Sequence, residues 1–128
     1  MLSQSWVKDY VGAIDQVSES PMQFNIWSAL SVISSVLKRN VYFNYKNFTI
    51  YPNQFIVLVA PPGIGKGTAI HPAHGFAKEL GLVNYMSDRV TAPRIVEKLF
   101  TGFSAIPKMV GGQIQATKDS SATLMSSE

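Results

Sequence analysis

The chain contains no cysteine. That excludes disulfide bonds, cysteine-held metals and thiol catalysis. Charge is sparse: 15% of the 128 residues are Asp, Glu, Lys or Arg, against 46% apolar. Such a balance suits a packed chain and excludes an extended disordered one. Histidine occurs only as His71 and His74. Two ligands without a third fall short of the three that a catalytic zinc takes, and Pro72 between them disturbs helical register. No apolar run reaches 18 residues, so no membrane-spanning helix is expected. Met1-Leu2-Ser3-Gln4 lacks the basic start and apolar core of a secretory signal, which makes a cytoplasmic location the default expectation. No carboxylate pair stands out. The many serines follow a polar helix face rather than a Ser/His/Asp arrangement.

What is present is enough chain for one domain with one core. Net charge is +3 and unevenly spread. Residues 1–20 sum to −2 and residues 21–128 to +5. A basic main body suits a nucleotide or nucleic-acid ligand, and equally suits ordinary solubility.

One loop carries most of the chemical information. The apolar run Phe55-Ile56-Val57-Leu58-Val59 leads into Ala60-Pro61-Pro62-Gly63-Ile64-Gly65-Lys66-Gly67-Thr68, and a helical pattern follows. A phosphate-binding loop is built this way. A buried strand delivers the chain to a glycine-rich turn, backbone N–H groups converge on a polyphosphate, and a lysine adds a compact positive charge. The usual pattern is G-x-x-x-x-G-K-[ST]. Ala60 replaces the first glycine, Gly65 and Lys66 fit, and Gly67 takes the hydroxyl position with Thr68 one place late. That hydroxyl normally ligates Mg²⁺. Here the metal falls to Thr68 or to water, and Mg²⁺ is expected to be held mainly by the nucleotide. Pro62, Gly63, Ile64, Gly65, Lys66, Gly67 and Thr68 are the expected nucleotide contacts. Gly63, Gly65 and Gly67 each permit positive φ or close approach of backbone to phosphate. The bland reading of the same residues is a strand–turn–helix joint with a surface lysine.

Around the loop, residues 4–18 read as a helix through Trp6, Tyr10, Ile14 and Val17. Ser20-Pro21-Met22-Gln23 reads as a helix start with Ser20 at the N-cap. The helix that follows should run to about Lys38, with Ile26, Leu30, Ile33 and Leu37 as its apolar stripe, widened by Ala29 and Val36, and Asn25, Ser28, Ser31, Ser35 and Lys38 on the other side. Val41–Phe43 and Phe48–Tyr51 should pair as a hairpin. A helix is predicted from about Gly65 to Leu80, kinked or interrupted near His71 by Pro72. Leu82–Met86 reads as a short strand, Thr91 as the N-cap of a helix to about Phe100, and 101–120 as loop-rich. Ala122–Met125 resembles the start of a buried strand, with Glu128 three residues beyond. A P-loop ATPase needs a second strand ending in an acidic residue. These elements predict an α/β fold: an N-terminal helical segment over 1–40, then the N-terminal part of a P-loop core over 41–128, in what reads as a piece of a longer protein.

Two resemblances sharpen the expectation. The loop, ending in G-K-G-T, is similar to that of adenylate kinases, a match confined to these nine residues. A wider resemblance is to the helicase-like ATPase domains of phage and mobile-element replication proteins, often found beside primase domains. It rests on the serine-rich helix Trp27–Leu37, on Lys38-Arg39-Asn40-Val41-Tyr42, and on Tyr51-Pro52-Asn53-Gln54 leading into the loop. Asp88-Arg89-Val90-Thr91-Ala92-Pro93 and Leu124–Glu128 extend it. This resemblance implies a RecA-like or AAA+-like core, ATP and Mg²⁺ as cofactors, ATP hydrolysis, DNA as partner and a ring-forming full-length protein. It implies Lys66 as the phosphate lysine and Glu128 as the catalytic acid residue that activates water. An arginine finger and sensor motifs would lie beyond residue 128. The alternatives are a small nucleotide kinase and a non-catalytic nucleotide-binding module.

Further candidates have two readings each. Tyr42, Phe43, Tyr45, Phe48 and Tyr51 beside Lys38, Arg39 and Lys46 suit stacking of unpaired bases, or packing on a core. Arg89 and Arg94 suit a nucleotide or neighbouring subunit, or an ordinary helix start. Lys108 and Lys118 suit DNA contact or solvent.

Overall fold

The computed structural model describes residues 5–81, 84, 86, 90–102, 105–110, 113–118 and 122–125. Helix α1 spans Trp6–Asp15 and is shorter than its apolar period predicts, so Val17 falls beyond its end and is exposed. Trp6 and Tyr10 project from successive turns and meet Phe76, with ring centroids 5.2 to 6.4 Å apart. Tilted and edge-on pairs of this kind add to plain area burial.

Helix α2 spans Met22–Leu37. Its start differs from the expected capping box. Pro21 is the N-cap and its carbonyl accepts from the Phe24 and Asn25 N–H groups. The Ser20 hydroxyl is instead turned inward and donates to Asn25 Oδ1 at 2.6 Å. The packed face of α2 also differs from the predicted stripe. Asn25, Ser28, Ala29 and Val32 are buried, while Ile26, Leu30, Ile33 and Leu37 are half-buried. The partner explains the choice. Helix α3, Lys66–Glu79, presents Ala69, Ala73 and Ala77 at four-residue spacing, all fully buried. Small side chains on both helices let the two backbones come close, which large residues on either side would prevent. The core of Tyr10, Val11, Ala29, Val32, Ala73 and Ala77 joins α1, α2 and α3. Helix α3 runs unbroken through Pro72, so the expected interruption does not occur.

Strands β1, Phe43–Tyr45, and β2, Phe48–Ile50, pair antiparallel across a turn at Lys46 and Asn47, tighter than the four-residue connection predicted. Residues 54–60, expected as a strand, form no regular element, and among the described residues no backbone partner completes a ladder with them. Phe55, expected in a buried strand, is 94% exposed. Helix α4 spans Ala92–Thr101 with Thr91 at its N-cap and Pro93 in its first turn, as the sequence predicts. The region predicted as loop instead holds β3, Ala105–Val110, paired antiparallel with β4, Gln113–Lys118. Two residues, Gly111 and Gly112, separate them in sequence, which is a hairpin signal. Pro107 is tolerated because both strands of a two-stranded ribbon are edges.

Thr123 donates its N–H to the Asn84 carbonyl at 2.8 Å and accepts from the Met86 N–H at 3.0 Å. One residue bonded to two that flank a third is the pattern of parallel pairing. The stretch between the partners includes α4, β3 and β4, long enough for the crossover that parallel strands require. Among the described residues the sheets are two antiparallel hairpins and this bridge. No described helix is long and apolar enough to cross a membrane.

Candidate functional site

The glycine-rich loop closes on the N-terminus of α3. Gly63 has φ 87°, and Gly65, the N-cap of α3, has φ 64° and ψ 32°. Both lie in the left-handed region, where a side chain is strained. Gly65 is constrained twice over. A Cβ there would sit 2.6 Å from Thr68 Oγ1 and 3.4 Å from Ser20 Cα. Gly67 lies inside the first turn of α3 without positive φ, which leaves the close approach of backbone as its part of the expectation.

Ser20 is therefore the floor of the loop. It is buried and held from two directions. Its N–H donates to Ser18 Oγ at 3.2 Å, and its hydroxyl reaches Asn25 Oδ1. Asn25 is fully buried, and its Nδ2 has no partner among the described residues. Sequence reasoning placed Ser20 and Asn25 as a helix cap and a polar-face residue. The signal that they underlie the loop is tertiary and has no local trace.

Lys66 folds back, and its Nζ donates to the Ala60 carbonyl at 2.7 Å. Thr68 Oγ1 donates to the Gly65 carbonyl at 2.6 Å. The loop thus brings Lys66, Thr68 and Gly65 together and stitches its own ends. Among the described residues, no main-chain acceptor takes the N–H groups of residues 63–68, whereas Ala69 N–H already bonds the Gly65 carbonyl. Such a cluster at the positive end of a 14-residue helix favours an anion. Lys78 in the last turn suits the negative end. Pro62 has no N–H and contributes shape alone; Ile64 is exposed.

The donor set fits a polyphosphate. A metal ion is fitted less well. Thr68 would have to give up its bond to Gly65, and Gly67 carries no hydroxyl. Glu128, Asp88 and Arg89 lie outside the described residues. Arg94 pairs with Glu97 at 2.8 Å on an exposed surface. His71 is exposed and His74 half-buried, and no described group of three His, Asp or Glu could hold a metal. A cavity of about 560 Å³ lies beside the loop's approach rather than at the loop. Ser31, Ser35, Gln54, Ile56, Leu58 and Leu124 are among the residues lining it. Comparison with family models, with curated proteins and with solved structures returns no match for this chain.

Proposed function

We propose that residues 60–68 are the phosphate-binding loop of an ATP-binding P-loop domain, and that the domain serves a DNA-replication helicase or ATPase of phage type. The observation that carries the first half is Gly65. It is held left-handed at the N-terminus of α3, where a Cβ would meet the Thr68 hydroxyl at 2.6 Å, and it stands next to Lys66. In this reading Lys66 leaves the Ala60 carbonyl and neutralises the β- and γ-phosphates. The N–H groups of residues 63–68 bond the phosphate oxygens, and the Thr68 hydroxyl turns to a phosphate oxygen or to Mg²⁺. ATP supplies the phosphoryl group and its free energy; Glu128 would polarise the attacking water.

The second half rests on the sequence resemblance and on the basic main body. The parallel bridge between Thr123 and the Asn84–Met86 segment is compatible with an α/β core of RecA-like or AAA+-like type. Ring assembly and DNA-coupled hydrolysis belong to the full-length protein in this reading.

Calorimetric titration with Mg²⁺–ATP tests the loop. The chain is expected to bind, and Lys66→Ala to weaken binding by about tenfold or more, as loss of a charge-assisted contact does. Equal affinity in both chains would remove Lys66 from the site. ADP formation from ATP plus AMP, independent of DNA, would favour a nucleotide kinase instead.

A further inference from the structure

The β1–β2 hairpin is built unlike the rest of the molecule. Opposed residues share a face, as do residues two apart in a strand. The register Phe43↔Ile50 and Tyr45↔Phe48 therefore puts Phe43, Tyr45, Phe48 and Ile50 on one face. That face is largely open: the three rings are 64%, 53% and 71% exposed. Phe43 and Tyr45 are near-parallel, 25° apart, with centroids separated by 6.5 Å. That separation is the two-residue repeat of a strand, about 3.3 Å per residue, so the two rings stand side by side along one exposed face.

Cations accompany the rings. Lys46 Nζ lies 5.6 Å from the Tyr45 centroid. On the opposite side Arg39 Cζ stands 4.2 Å above the Tyr51 ring, and Tyr51 in turn lies 6.2 Å from Tyr42. A guanidinium over a ring still offers N–H groups to oxygen acceptors. No opposing charge is near in sequence: between Glu19 and Glu79 the chain has no carboxylate side chain, but has Lys38, Arg39, Lys46, Lys66 and Lys78.

We propose that this hairpin is a binding surface for single-stranded nucleic acid, with bases stacking on Phe43, Tyr45 and Phe48 and phosphates meeting Lys46. Exposed flat rings read unpaired bases whatever their sequence, and interleaved cations follow the backbone. A duplex hides its base faces and loses the stacking part. The inference rests on the nucleic-acid half of the proposed function and gives it a surface, but it does not need the phosphate loop to work.

The test is fluorescence anisotropy of a labelled oligothymidylate of about 12 nucleotides, within the usual site sizes. It is run on the full 128-residue chain without nucleotide, at about 50 mM salt where phosphate contacts are strong. Tight binding to the single strand, weaker binding to a duplex and a fall in affinity with salt are expected. Phe43→Leu and Phe48→Leu keep an apolar surface but lose the flat faces; each should weaken binding about fivefold or more, the low end for one stacked base. Phe48→Trp should restore it. Thermal unfolding unchanged in the Leu variants excludes misfolding as the cause. Oligonucleotide binding retained by a chain that fails to bind Mg²⁺–ATP would sink the ATP reading alone, so failure of that reading and failure of this one are separable. No binding, equal affinity for duplex, or Leu variants that bind as well as the parent would overturn the proposal. Binding instead to anionic phospholipid vesicles, insensitive to Phe→Leu, would assign the surface to a membrane.

Discussion

The α2–α3 contact and the β1–β2 hairpin use opposite materials. On the two helices the buried residues are Ala29, Ala69, Ala73 and Ala77 with Asn25, Ser28 and Val32. In the hairpin the large apolar residues Phe43, Tyr45, Phe48 and Ile50 all face outward. Hydrophobicity alone would assign these roles the other way round. Close backbone approach decides the helix pair, because the loop beneath α3 needs Ser20 within van der Waals reach of Gly65. The hairpin has no such neighbour, so its rings remain available to a ligand.

Overpacking the helix contact sharpens the contrast most. Ala73→Leu adds a branched side chain to a site with no exposed surface and should cost about 3 kcal/mol, at the upper end for overpacking. Chemical denaturation measures it, and an unchanged midpoint would mean that α2 and α3 are loosely apposed. Next comes Gly65→Ala. Its left-handed φ and the 2.6 Å approach to Thr68 Oγ1 should together cost about 2 kcal/mol. Nucleotide binding should fall with it, since the loop must shift.

These two positions also show what the sequence reveals and what it hides. The loop was legible because glycine spacing, Lys66 and the preceding apolar run are local features. The cap of α4 at Thr91 and the aromatic hairpin were legible for the same reason. The buried face of α2 was not. Its apolar stripe of Ile26, Leu30, Ile33 and Leu37 points one way by periodicity, but an alanine-lined partner rewards small residues, and that partner lies some 40 residues away in sequence. The β3–β4 hairpin was hidden by Pro107 and the two glycines, which read as loop when weighed singly. The run 54–60 forms no ladder because a strand needs a neighbour, and none is present among the described residues.

Tyr10 offers a smaller test within the helical body. Its hydroxyl is buried without a hydrogen-bond partner among the described residues. Tyr10→Phe removes that desolvation cost and should stabilise by about 1 kcal/mol. Burial also holds the Tyr10 phenol above its ordinary value of 10.0. The unfolded chain therefore releases this proton first. The stability from the neutral phenol is intact below pH 10 and declines as pH rises through 10 towards the folded value. Thermal unfolding followed from neutral to alkaline pH should show that decline in the parent, and a weaker one in Tyr10→Phe.

The smallest effect belongs to the hairpin. Phe48→Ser removes a ring that touches little of the fold, so unfolding should shift by no more than about 0.5 kcal/mol. A loss comparable to that of Ala73→Leu would show that the hairpin packs on the body, and the comparison of the two regions would fail.

The central claim is that the loop at residues 60–68 cradles phosphates through its backbone. Amide NMR of uniformly ¹⁵N-labelled protein, titrated with Mg²⁺–ATP and separately with adenosine, tests it most directly. The account predicts that the Gly63, Gly65 and Gly67 amides move with ATP and stay still with adenosine, because phosphate rather than base is what they meet. Glycine amides that stay still with ATP, or that respond equally to adenosine, would contradict it.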